Sequence, residues 1–124
     1  FEGPLQDLTV AQGLAQFPYY SLANGFLTGK YRSKDDLGQS PRGLRSIEYV
    51  ESERGQRVLA ALDAVADETG AAPATVALAW LKTRPGVAAP IASATSVEQL
   101  GELVAALTLE LDADQLARLD AASS

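Results

Sequence analysis

Two apolar segments each run into a turn of small residues: Phe17-Pro18-Tyr19-Tyr20-Ser21-Leu22-Ala23-Asn24-Gly25 and Val87-Ala88-Ala89-Pro90-Ile91-Ala92-Ser93-Ala94-Thr95. The second turn opens a helix through Ser96-Val97-Glu98-Gln99. Buried strands that bring backbone N–H groups and a helix N-terminus to one rim are how α/β proteins hold a phosphate. The pattern reads as half of a cofactor site, with no catalytic group beside it. Half of the ten Lys and Arg residues, namely Lys30, Arg32, Lys34, Arg42 and Arg45, follow the first turn. Such a run is either a solvated loop or a recruiter of an anionic ligand. Asp35 and Asp36 would suit a carboxylate hydrolase, but two acids in a Gly-flanked polar loop read first as solvated.

Composition closes several alternatives. There is no histidine and no cysteine, which removes the usual zinc sites, His-based proton transfer and disulfides. A net charge of −6 opposes a nucleic-acid surface, which needs a basic face. No apolar run approaches the length of a bilayer span, and no signal peptide is read, so a cytoplasmic protein without membrane contact is expected. At 124 residues with 47% apolar content, the chain can bury a core. It contains no methionine and opens on Phe1-Glu2-Gly3-Pro4, so the expectation is a processed or truncated chain.

Elements must place the two turns. A helix ends near Gly13, and strands are expected over 17–22 and 87–92, the second covered on both faces. The stretch 23–50, punctuated by Gly25, Gly29, Gly38, Pro41 and Gly43, reads as a long functional or mobile loop. Val58, Leu59, Leu62, Val65 and Ala66 share one stripe of a helix over 52–69 closed by Gly70. Pro73 suits the first turn of the next helix. That helix carries the all-apolar Val76-Ala77-Leu78-Ala79-Trp80-Leu81, with Trp80 assigned to the core. Ser96 and Gln99 form a capping-box pattern before a helix with Leu100, Leu103, Val104 and Leu107 inward. Asp112 and Gln115 repeat that pattern, with Leu111 placed to staple onto Leu116. Strand, helices, strand, helix is a βαβα unit, whose crossover puts the strands side by side and parallel. Two strands with about five helices do not complete a sheet.

Tyr19-Tyr20-Ser21-Leu22-Ala23-Asn24-Gly25-Phe26-Leu27-Thr28-Gly29-Lys30-Tyr31 resembles the seventh-strand signature of the aldo-keto reductase superfamily. Val76-Ala77-Leu78-Ala79-Trp80-Leu81 is similar to that family's seventh-helix motif. Pro90-Ile91-Ala92-Ser93-Ala94-Thr95-Ser96-Val97-Glu98-Gln99-Leu100 resembles its eighth strand and nucleotide-binding turn. The three stretches stand in family order at family spacing, and the likeness covers essentially the whole chain. The resemblance implies the C-terminal portion of a (β/α)8 TIM barrel, so that 1–124 is an incomplete domain carrying the cofactor-binding part. It implies hydride transfer between NADP(H) and a small-molecule carbonyl. By the same resemblance Tyr19 stacks on the nicotinamide, and Tyr20, Ser21, Leu22, Ala23 and Gly25 wrap the pyrophosphate. Lys30 lies near the phosphates, Ser93 and Thr95 face the adenosine ribose or its 2′-phosphate, and Gln99 and Glu102 line the adenine.

The sequence departs from the family at several points. Tyr20-Ser21 stands where Ser-Pro is common, Thr95 where many members have Arg, and Leu103 where many have Asn. Without a guanidinium at 95 the choice between NADP(H) and NAD(H) stays open. The family's catalytic Tyr, Lys, Asp and His have no counterpart here, and Tyr31, Tyr49 and Lys82 do not replace them. The chain is therefore expected to be inactive alone and to need the missing N-terminal barrel strands. The alternative is a non-catalytic fragment or self-associating module that uses open sheet edges.

Overall fold

A computed structural model of the chain describes residues 2–39 and 43–124; Arg42 and Pro41 lie outside the described residues. Six α-helices are present among them: α1 (Pro4–Ala11), α2 (Ile47–Glu51), α3 (Glu53–Thr69), α4 (Pro73–Lys82), α5 (Val97–Ala105) and α6 (Ala113–Ser123). Three 3-10 turns, Ala23–Thr28, Lys34–Gln39 and Gly43–Ser46, stand between α1 and α2.

The long helix follows from its sequence. Ser52 caps α3 by accepting the Gly55 N–H at 2.9 Å, and Gly70 ends it in the left-handed conformation. Leu59, Leu62, Val65 and Ala66 are buried as the stripe requires, with Val58 packed at the margin. α3 lies against both α4 and α6, and α4 against α5. One apolar core joins Leu62, Val65 and Ala66 of α3 to Val76 and Ala77 of α4 and Leu119 of α6. Asp112 and Gln115 form the full reciprocal capping box before α6, and Leu111 packs against that core.

Three expectations need correction. The first concerns the strands, which do not form among the described residues; the two segments meet in a single parallel bridge, Gln16 with Val87. The Gln16 N–H donates to the Gly86 carbonyl and the Ala88 N–H to the Gln16 carbonyl, each at 2.9 Å. In a parallel ladder the next donors are residues 18 and 90, and both are proline, which has no N–H. Ile91 instead reaches the Pro18 carbonyl at 3.1 Å. A positive φ of 57° at Tyr20 then turns the chain away before 22. Side-by-side parallel placement holds; two continuous strands do not. Nor is 87–92 covered on both faces, since Ala88, Ile91 and Ala92 are exposed.

The second correction concerns 23–50, expected as one long loop, whose described residues instead carry three 3-10 turns and the start of α2. Phe26, Tyr31, Leu37 and Val50 are buried with Leu59 of α3 in a second apolar cluster. The third concerns α5. Val97 is 81% and Leu107 68% exposed, and Leu100 and Val104 are likewise exposed. Of the four residues expected inward only Leu103 is half-buried, so the stripe exists at helical spacing but the described residues leave most of it exposed.

Candidate functional site

The bridge sends both turns away from one starting point. Beyond Pro18 the first turn is built on left-handed backbone: φ is 57° at Tyr20, 48° at Ala23, 58° at Asn24 and 96° at Gly25. Side chains at such angles cost about 1–3 kcal/mol each and persist where surrounding contacts enforce them. Leu22 (φ −109°, ψ 18°) followed by left-handed Ala23 is the succession that curves amides toward an anion. Two of these amides are already engaged, Ala23 N–H with the Tyr20 carbonyl at 2.8 Å and Gly25 N–H with the Leu22 carbonyl at 2.9 Å. The Ser21 hydroxyl donates to the Pro18 carbonyl at 2.9 Å. The Asn24 carboxamide oxygen is buried with no hydrogen-bond partner among the described residues. Tyr19 is 71% exposed, its ring centroid 4.1 Å from that of Tyr20 with the planes tilted by 46°.

The basic run divides by partner. Arg32 grips Asp63 of α3 with both terminal nitrogens, Nη2 to Oδ1 at 2.8 Å, and its Nε–H donates to the Gly29 carbonyl. That bond raises the Arg32 pKa above its ordinary value and lowers that of Asp63. Lys34 pairs with Glu51. Arg45 is exposed in the 43–46 turn. Lys30 forms no ion pair among the described residues; its ammonium lies 4.9 Å from the Tyr31 ring centroid. Asp36 accepts the N–H groups of Arg32 and Ser33, each at 3.0 Å, and these hold its carboxyl below the ordinary value. The Asp36 carboxylate thus caps the turn that begins at Arg32 and Ser33.

At the second turn, Ser93 and Thr95 are exposed. Thr95 donates both its N–H and its hydroxyl to Gln99 Oε1, each at 2.9 Å. Ser96 accepts the Gln99 N–H at 3.2 Å and so caps α5. The capping box is thus half formed, because the Gln99 side chain reaches one residue further back than expected. With its hydrogen committed, the Thr95 hydroxyl offers lone pairs and suits a donor such as a ribose hydroxyl. The Glu102 carbonyl accepts from the buried Thr75 hydroxyl at 2.8 Å. This bond fixes Glu102 at the α4–α5 contact, whereas Thr95 and Gln99 are brought together.

Tyr19 and Tyr20 also border a cavity of about 350 Å³ that reaches Leu27, Trp80 and Leu119. Trp80 packs against the helical core as expected, donates its indole N–H to Asp120 at 2.7 Å, and carries Arg84 over its ring at 4.5 Å. No group of His, Cys, Asp and Glu able to hold a metal occurs among the described residues. None of their helices is long and apolar enough to cross a membrane.

Reading the sequence misses three participants. Asp63, Asp120 and the buried ring of Tyr31 acquire their roles from partners that no local spacing marks; only the adjacency of Lys30 and Tyr31 is visible beforehand. For a dinucleotide, the residues present fit: an exposed aromatic at one turn, a lysine at its base, and hydroxyls and a helix start at the other.

A parallel bridge whose two segments are joined through helices is the crossover arrangement of α/β folds. The aldo/keto reductase family model matches residues 2–124, and the chain belongs to that family. It is 33% identical to the protein Tas of Escherichia coli over 126 residues, covering 98% of this chain and 35% of Tas. It is 44% identical to the oxidoreductase Rv2298 of Mycobacterium tuberculosis over 99 residues, 77% of this chain and 29% of that protein. The oxidoreductase YrpG of Bacillus subtilis is 33% identical over 108 residues, covering 87% and 32% respectively. The chain therefore spans about a third of the length of these relatives.

Proposed function

We propose that the chain is the C-terminal, dinucleotide-binding part of an NADP(H)-dependent aldo-keto reductase that reduces aldehydes or ketones, with NAD(H) as the alternative cofactor. The observation that carries this reading is the Gln16–Val87 bridge, which starts the Tyr19–Gly25 turn and the Ser93–Gln99 turn from adjacent backbone. The bound dinucleotide supplies or accepts the hydride. The chain's own residues hold it: the Tyr19 ring provides an uncharged face for the nicotinamide, and turn 20–25 with Lys30 meets the phosphates. Ser93, Thr95 and Gln99 meet the adenosine ribose, and Glu102 lies at the edge of that group. The remaining strands of the barrel are the partner we assign to the uncovered stripe of α5. They would also bring the proton donor that this chain lacks, in a cytoplasmic enzyme.

Titrating NADPH and NADH against the full-length protein tests the reading. Lys30→Ala is expected to weaken both by about tenfold, because the ammonium lies at the base of turn 23–28 rather than at Thr95; a charge-assisted contact is worth roughly 1–3 kcal/mol. Unchanged affinity for both would remove the phosphate role of this turn.

A further inference from the structure

Lys30 differs from its neighbours in how its charge is held. Arg32 and Lys34 are committed to carboxylates. The stem of Lys30 instead folds back over its own turn: a Cβ built on Gly25 would stand 3.0 Å from Lys30 Cε, 3.3 Å from Nζ and 3.4 Å from the Tyr31 ring. Tyr31 is completely buried in the cluster formed by Phe26, Leu37, Val50 and Leu59, so its ring cannot follow the lysine. A free lysine spreads its charge over many rotamers. A cation over the face of a fixed tyrosine ring, within about 6 Å of the centroid, is held there electrostatically.

We infer that Tyr31 is a positioning residue for Lys30. Its buried ring and the bare Cα of Gly25 fix the ammonium beside turn 23–28, where the N–H groups of Ala23 and Gly25 are already engaged, so that the turn offers positive charge to a pyrophosphate. The functional half of this inference rests on the dinucleotide reading above; the positioning half does not.

The test uses the full-length protein labelled with 13C at the lysine ε-carbons. The resonance lost on Lys30→Arg identifies Lys30. Its ε-protons are expected upfield of an exposed lysine because of the ring current. Tyr31→Phe keeps that position, while Tyr31→Leu and Gly25→Ala abolish it. In parallel, NADH and NADPH are titrated across a range of salt concentrations. Tyr31→Phe is expected to stay within about twofold of wild type. Gly25→Ala is expected to lose about tenfold and to show a shallower salt dependence, which a merely structural role would not produce. If Tyr31→Leu does not fold, or the strain of a side chain at the positive φ of Gly25 distorts the turn, the wild-type shift and Lys30→Ala still decide. A wild-type Lys30 resonance at the ordinary lysine position overturns the positioning. An upfield Lys30 whose replacement by alanine leaves dinucleotide affinity unchanged overturns the role of the charge, and with it the phosphate reading of the turn.

Discussion

Pro18 and Pro90 occupy the two donor positions of the rung that would follow the Gln16–Val87 bridge. The ladder stops where its donors stop. Pro18→Ala supplies one N–H facing the Ala88 carbonyl in the register already set. Its amide is expected to exchange at least about tenfold more slowly than an exposed one. The stability change should stay within about 1 kcal/mol, since a new hydrogen bond offsets the lost rigidity of proline in the unfolded chain. Fast exchange at residue 18 would show that the segments part beyond Gln16.

Acid should loosen the α3–α6 contact. Glu68 receives both terminal nitrogens of Arg118, at 2.7 and 2.6 Å, and Gln115 at 3.2 Å; these lower its pKa from 4.5 to about 2. A depressed carboxylate stabilises the folded state above its unfolded pKa and loses that contribution as pH falls. The urea midpoint should therefore drop between pH 4.5 and 2, with Asp63 and Asp36 acting in the same direction. Glu68→Gln should flatten the profile, measured by far-UV circular dichroism; an identical profile would show the carboxylate to be disengaged.

Asp120 serves two donors at once, the Trp80 indole N–H at 2.7 Å and Arg84 at 3.0 Å. Arg84 is mostly buried, so Asp120→Ala removes the indole's acceptor and the charge partner of Arg84, which keeps its hydrogen bonds to the Thr83 hydroxyl. A loss of about 1–3 kcal/mol is expected in denaturant unfolding, with Asp120→Asn losing less because it keeps an oxygen for the indole.

Gly55→Ala poses opposed effects on α3. Alanine is the better helix former by about 1 kcal/mol, but its Cβ would overlap the Tyr49 carbonyl oxygen at the corner between α2 and α3. Overlap with backbone cannot be relieved by a rotamer change, so the variant should lose about 1–3 kcal/mol. A gain in stability would mean that the corner yields freely.

Cofactor chemistry gives a paired expectation. The isolated 124-residue chain is expected neither to reduce carbonyls nor to oxidise NADPH above background, because on the proposed reading the general acid for a developing alkoxide comes from the remaining strands of the barrel. In the full-length protein, Thr95→Arg should raise the affinity for NADPH relative to NADH by about tenfold or more, since a guanidinium can pair a 2′-phosphate in bidentate fashion. An unchanged ratio would move the 2′-position away from Thr95.

What the sequence conveyed depended on how local the cause was. Ser52, Gly70 and the stripe from Val58 to Ala66 define α3 within one segment, and Asp112 with Gln115 does the same for α6. The segment 87–92 misled because an all-apolar run signals burial only when neighbours exist to cover it. The α5 stripe misled for the same reason. Phe26, Tyr31 and Leu37 have neither helical nor alternating spacing, so their cluster looked like a Gly-rich loop. Within the site, Tyr19, Lys30, Thr95 and Gln99 came from recognisable motifs. The Arg32–Asp63 grip joins residues 31 positions apart, and nothing in local spacing encodes such a partner.

Leu59 belongs to the cluster beneath the basic turn, while Leu62, one helical turn on, belongs to the interhelical core. With Asp63 holding Arg32, α3 is a common wall for both. The segment that would need to be exchanged to transplant this turn into another protein accordingly extends to α3, not the turn alone. A graft cut at residue 51 would separate Tyr31 from Leu59 and Arg32 from Asp63, and the recipient helix would have to offer both partners at the same spacing for the grafted lysine to keep its place.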